Sequence, residues 1–189
     1  MFIEQGIRSE NKFWKYLLGS ILIIGASFMG QLPLLVGVML KTIGSGKIMP
    51  NNENDLIKMF DPNMALFLIM ISFVFAVGGI YLVIRNLHKQ TLLSIITSRK
   101  KIDWKRIVFS FTIWALLSIV STVLMYFDSP QDFVINFQLL PFLGLLVIAT
   151  LLIPIQTTCE ELVFRGYLMQ GFGNLSMNKW FPLLMTSVI

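Results

Sequence analysis

The stretch LLPFLGLLVIATLLIPI, residues 139–155, is apolar almost without a break and then runs into QTTCEELVFRG, residues 156–166, which holds two acids and an arginine. A bilayer core of about 30 Å takes about 20 apolar residues of helix to cross. Residues 139–155, continued as helix through the charged motif, meet that length. The segment has no alternation of apolar and polar residues of the kind a membrane β-strand would show. It reads as a transmembrane helix that carries ionisable groups near one end.

The same criterion, applied outward, finds three further complete runs at Leu17–Leu40, Met64–Ile84 and Ile107–Phe127. Another apolar run starts at Phe181 and Pro182 and is still open at Ile189, too short at about 1.5 Å per residue to cross the membrane. We therefore expect an all-α polytopic helix bundle: four complete membrane helices, at about 17–40, 64–84, 107–127 and 139–170, plus a truncated fifth from 181. Residues 1–189 read as one membrane-embedded domain, incomplete at its C-terminal end. The composition agrees, with 56% hydrophobic and 13% charged residues and a mean hydropathy of +0.76, far too apolar for a soluble domain of this size. The first run is too long for the apolar region of a signal peptide and has no small-residue cleavage site, so it is expected to stay as an anchor. No internal repeat or low-complexity segment is visible.

Lys and Arg in the loops set the expected orientation. Residues 1–16 carry Arg8, Lys12 and Lys15, and the loop 85–106 carries Arg85, Lys89, Arg99, Lys100, Lys101, Lys105 and Arg106. The loop 41–63 dilutes Lys41, Lys47 and Lys58 with Glu53, Asp55 and Asp61, and 128–138 holds only Asp128 and Asp132. The N-terminus and the loop 85–106 are thus expected in the cytoplasm, and the acidic motif falls toward the cytoplasmic half of the membrane. The net charge of +5 is accounted for by retention and by attraction to anionic headgroups. No nucleic-acid recognition module accompanies it, so lipid is the expected partner and nucleic acid is not. Trp14, Tyr16, Trp104 and Trp180 lie near predicted membrane boundaries and read as anchors.

The one cysteine excludes an intrachain disulfide and a thiolate metal cluster within this chain. Cys159 beside the acids would need a histidine partner to serve as a nucleophile, and the single histidine, His88, lies in the basic loop. Cys159 reads as a packing residue and His88 as a solvated or headgroup-facing one.

Ionisable groups at membrane depth are costly and mark candidate sites. Glu161 and Arg165 are four residues apart with the acid first, the better order for an intrahelical ion pair. Glu160 lies about 100° around the helix, with Phe164 four residues on, and so has no charged partner. An unpaired carboxylate in a partly desolvated place acquires a raised pKa and suits a general base acting on water. Glu160 is the expected base, with Glu161 and Arg165 as a charge-balanced support. Against this stands a plain alternative: the three charges form a solvated cap just past the membrane boundary. Pro154 lacks an N–H and is expected to kink the helix, which would open a polar cavity or be ordinary helix irregularity.

The run QTTCEELVFRGYLMQGF, residues 156–172, resembles the first signature, E-E-x-x-x-R, of the CAAX protease and bacteriocin-processing family of intramembrane endopeptidases. The Phe before the Arg, the Gly-Tyr-Leu after it, the apolar helix in front and the basic IDWKR at 102–106 make the match specific; it is strongest over 156–172. The resemblance implies hydrolysis of a peptide bond by activated water in a cavity open to the cytoplasm, with Glu160 as the base and Glu161 and Arg165 at the companion positions. It implies a peptide or protein substrate, prenylated or a peptide toxin, a bacterial plasma-membrane location, and zinc as a candidate cofactor. Glu160 and Glu161 would be its candidate ligands. The family's F-x-x-x-H and H-x-x-x-N/D signatures are absent from this sequence, so this chain alone is expected to be inactive. Two other readings stay open: a non-catalytic immunity or scaffold protein, and a small transporter with Glu160 as its ion site.

Overall fold

The computed structural model describes residues 12–45, 58–97, 102–134, 136–175 and 180–188. Arg8, Lys47, Glu53, Asp55, Arg99, Lys100, Lys101 and Ile189, invoked above, lie outside the described residues. Every regular element described is helical: α1 at Phe13–Ser45, α2 at Pro62–Leu82, α3 at Leu92–Ile96, α4 at Trp104–Asp128, α5 at Leu139–Glu161, α6 at Met169–Gly173 and α7 at Trp180–Val188. Two wider π-helical turns extend the long helices, Val83–Leu87 after α2 and Leu162–Leu168 joining α5 to α6. With these turns, four helices are long and apolar enough to cross a membrane: Phe13–Gly44, Pro62–Leu87, Trp104–Asp128 and Leu139–Gly173. The molecule is an all-α polytopic bundle and an integral membrane protein.

Local chemistry sets the helix starts. Asp61 precedes Pro62 and its carboxylate accepts from the Asn63 amide at 3.2 Å, while the proline occupies a position whose N–H would have had no helical partner. Asp103 caps α4 in the same way through the Arg106 amide. Bilayer thickness sets the lengths. The expected runs reappear a few residues longer at most ends, and the short helix α3 inside the basic loop is an addition, too brief for a periodicity signal.

Small residues decide which helices meet. In lipid there is no hydrophobic gain from pairing two apolar helices, so close backbone approach has to supply the contact. A Cβ at Gly79 would sit 2.7 Å from the Ala26 methyl, and one at Gly30 would sit 2.6 Å from the Ser72 backbone. These residues let α1 and α2 pack tightly, and α5 then packs on α2. Asn63 reinforces the second contact by donating to the Pro141 carbonyl at 2.7 Å. Ala26, Gly30 and Gly79 thus serve packing within the bundle, whereas Gly78 faces open space. No residue of α4 is buried, and Trp114 and Phe127 on it are 70% and 76% exposed. This is how a lipid-facing helix looks.

The core lies at one end of the bundle rather than at its middle. Tyr16 and Ile23 of α1, Ala76 and Ile80 of α2, Val83 and Ile84 of its π turn, Ile95 of α3, and Cys159, Leu162 and Tyr167 of the motif helix form one buried cluster. It is the end that carries the acidic motif.

Candidate functional site on the fourth span

The motif sits on a continuous rod from Leu139 to Gly173. Helix persists through Pro154, and the change in backbone comes at Leu162–Leu168, where the turn widens. Such π turns are rare and recur at functional sites. The side of the rod facing the core is held by Leu162, Gly166 and Tyr167. A Cβ on Gly166 would collide with the Ile95 side chain and approach its carbonyl to 3.0 Å, so glycine here is what lets α3 lie against the motif.

Glu160, Glu161 and Arg165 are on the other side, all exposed on the described bundle. Glu161 and Arg165 form the expected ion pair, with Nη1 to Oε2 at 3.1 Å and side chains 57% and 72% exposed. Glu160 differs from expectation. The Gln156 side-chain amide donates to its Oε1 at 3.2 Å, so the carboxylate has a neutral partner one turn back, in the direction the forward pairing with Phe164 did not consider. The ion pair and the hydrogen bond thus engage the two acids separately, each with a partner four residues away on the same rod. Glu160 is not enclosed among the described residues.

His88 is a correction. It was expected to be solvated, yet it is 5% exposed and lies in the core. Its Nε2 is 2.9 Å from the Tyr167 hydroxyl, and its ring packs on Tyr16 with centroids 4.3 Å apart. The Tyr167 hydroxyl also faces the carbonyls of Tyr16 and Lys15, at 3.3 and 3.4 Å. Carbonyls only accept, so the arrangement consistent with all three contacts has Tyr167 donating to them and accepting from the Nε2–H of His88. Burial, and then the positive charge of Lys15, push the imidazole pKa down to about 4, so His88 is neutral at physiological pH. Tyr16 is likewise no boundary anchor, being 2% exposed within this cluster. Trp14, Trp104 and Trp180 remain exposed at the starts of α1, α4 and α7.

These contacts tie the motif helix to the rest. Gly19 makes room for them, since a Cβ there would land on the Tyr167 hydroxyl. Two residues beyond Arg165, Tyr167 thereby locks the rod to α1 and to the end of α2. Gln170 adds a second tie by donating to the Ser94 carbonyl at 3.0 Å. Spacing gives no warning of a contact between residues 88 and 167; the one available signal was a polar Tyr–Leu–Met–Gln step within an apolar helix. Cys159 is buried at 3% exposure, as a packing residue would be.

The described residues do not by themselves bring together a metal site. Among the described residues no three His, Cys, Asp or Glu side chains converge. Glu161 is committed to Arg165, and the one histidine of the chain is turned into the tyrosine cluster. Zinc chemistry usually requires three protein ligands, so no step is assigned to it here.

Fold and motif together define a polytopic membrane protein with an acid–acid–arginine signature locked onto its fourth span. Residues 139–189 match the family described as Type II CAAX prenyl endopeptidase Rce1-like, the family to which the motif pointed. The chain is also 32% identical over 186 residues to the uncharacterized protein YyaK of Bacillus subtilis (strain 168). That similarity covers 97% of this chain and 60% of the relative, so the chain spans less than two thirds of that protein's length. No solved structure matches it.

Proposed function

We propose that this region belongs to an intramembrane endopeptidase and supplies its general base. The single observation that carries the reading is the E-E-x-x-x-R signature on a membrane span within the segment that matches an Rce1-like family. Glu160 takes a proton from a water molecule as the water oxygen attacks the scissile carbonyl carbon, and the proton passes on to the leaving amine nitrogen. Glu161 and Arg165 are matched in charge, so the rod bears a carboxylate at Glu160 without a second net charge beside it. Tyr167 and His88 fix the rod's rotation and so the direction in which Glu160 points.

The substrate is a peptide or protein reached from the cytoplasm, with prenylated chains and peptide toxins as the candidate classes. The N-terminus and the loop 85–106 face the cytoplasm of a bacterial cell in this reading, on the strength of their Lys and Arg. The other two signatures of the family are absent from these 189 residues, so hydrolysis is assigned to a protein that joins them to this region. The exposure of Glu160 favours a second reading for the 189 residues by themselves, a non-catalytic immunity or scaffold role.

The test is to purify the natural gene product in full, confirm its intact mass, and assay cleavage of labelled farnesylated and unmodified peptides in liposomes. Loss of a general base costs roughly a hundredfold or more. Glu160→Gln is expected to lower turnover by that factor with membrane level and melting temperature unchanged. Wild-type turnover in Glu160→Gln would remove the base assignment, and a phenotype that persists in it would favour the scaffold.

A further inference from the structure

A cavity of about 500 Å³ opens at the end of the second span, away from the motif acids. Tyr81, Arg85, Lys89, Gln90 and Thr91 line it, with Ile84 and Leu92 as its apolar wall. Its polar lining is two cations, two hydroxyls and an amide, with no carboxylate. Arg85 donates through Nη1 to the Tyr81 hydroxyl and lies over the same ring at 5.8 Å, so the guanidinium is oriented without being neutralised. Among the described residues neither Arg85 nor Lys89 has an acidic partner.

The backbone adds an independent observation. Lys89 has φ of 51°, and it is the one described non-glycine residue in the left-handed region. The chain turns there because the Gln90 amide reaches back to the Ile84 carbonyl at 3.0 Å and the His88 amide to the Val83 carbonyl at 3.3 Å. Helices commonly end this way with glycine, which has no Cβ to strain. Strain of this kind, held by its surroundings, clusters at ligand clamps. A lysine at this position keeps a cation over the cavity where glycine would relieve the backbone.

Location supplies the source of the ligand. The cavity straddles the end of the span Pro62–Leu87, and Leu82 beside it is 57% exposed. Basic pockets at the ends of membrane helices meet phosphate groups, and acyl chains would continue along the apolar face of α2. We propose that this cavity binds the phosphate of an anionic membrane lipid, held between Arg85 and Lys89 with Tyr81 and Thr91 as neutral donors.

The experiment is native mass spectrometry of the purified full chain titrated with phosphatidylglycerol or phosphatidylcholine, with inorganic phosphate as competitor. Phosphatidylglycerol is expected to bind in preference, weakening about fivefold for each charge removed in Arg85→Gln and Lys89→Gln. Lys89→Gly guards against misfolding, because it removes the cation while relieving the backbone; it is expected to melt higher than wild type without lipid and to show the same roughly fivefold weakening as Lys89→Gln. If inorganic phosphate displaces the lipid or binds as well, the ligand is a soluble phosphate and the lipid assignment falls. Equal retention of the two lipids by wild type, or wild-type preference in Lys89→Gly and Arg85→Gln, overturns the site itself.

Discussion

Protonation of a buried imidazole between two phenol rings would put a charge where little water can reach it. His88 is in that position, so its folded pKa, about 4, is below the ordinary value near 6.5. The unfolded chain therefore binds the proton first. Stability from this residue is complete above pH 6.5 and is lost as pH falls toward 4, by about 1.4 kcal/mol per pH unit within the window. A melting series in detergent from pH 7.5 to 5, above most carboxylate titration, is expected to show a decline that His88→Gln largely removes; parallel curves for the two proteins would refute it. Glu161 and Arg165 are the opposite case. Both are more than half exposed, so their pairing is expected to be worth about 0.3 kcal/mol in a double-mutant cycle, and a coupling above 1 kcal/mol would mean the pair is enclosed in the working protein. The pair was legible because it needs only i,i+4 spacing. His88 was not, because its partner is 79 residues away and no local pattern encodes that contact.

At the scale of elements, lipid removes the usual reason for helices to associate and leaves shape in charge. Gly79 against Ala26 and Gly30 against Ser72 are where α1 and α2 come closest. Gly79→Leu is expected to force the two apart and cost about 1–3 kcal/mol, read as a lower melting temperature, whereas Gly78→Leu, facing open space, is expected to cost far less. Equal effects at the two neighbours would show that this interface does not organise the bundle. The four spans could be read from the sequence because membrane thickness dictates run length, and composition reports that directly. The π turn at Leu162–Leu168 could not. No residue type specifies it, and it occurs where Gly166 meets Ile95, a contact known only once the helices are packed. Pro154 drew attention to the wrong turn, since the widened backbone begins at Leu162 instead.

For the whole molecule, the arrangement of spans turns a charge count into a statement about sides. Four spans alternate direction, so the loops after α2 and α4 lie on opposite faces. The first, 85–106, collects seven cations against Asp103 alone, and the second, 128–138, carries only Asp128 and Asp132. Moving seven cations across the bilayer is the costlier choice, and on that ground we propose that the basic loop, the buried tyrosine cluster and the acidic motif lie together on the cytoplasmic side. A membrane-impermeant maleimide can check this in a Cys159→Ala background, with Lys105→Cys in one loop and Asp132→Cys in the other. In intact cells Asp132→Cys is expected to label and Lys105→Cys to stay unlabelled until the membrane is opened. The reverse pattern would place the motif outside. It would also remove cytoplasmic proteins as substrates, because Glu160 would then open toward the other compartment. The proposed lipid site depends on the same result in a weaker way: anionic headgroups give the cytoplasmic leaflet its negative surface potential, so Arg85 and Lys89 are placed to meet them only if the basic loop is inside.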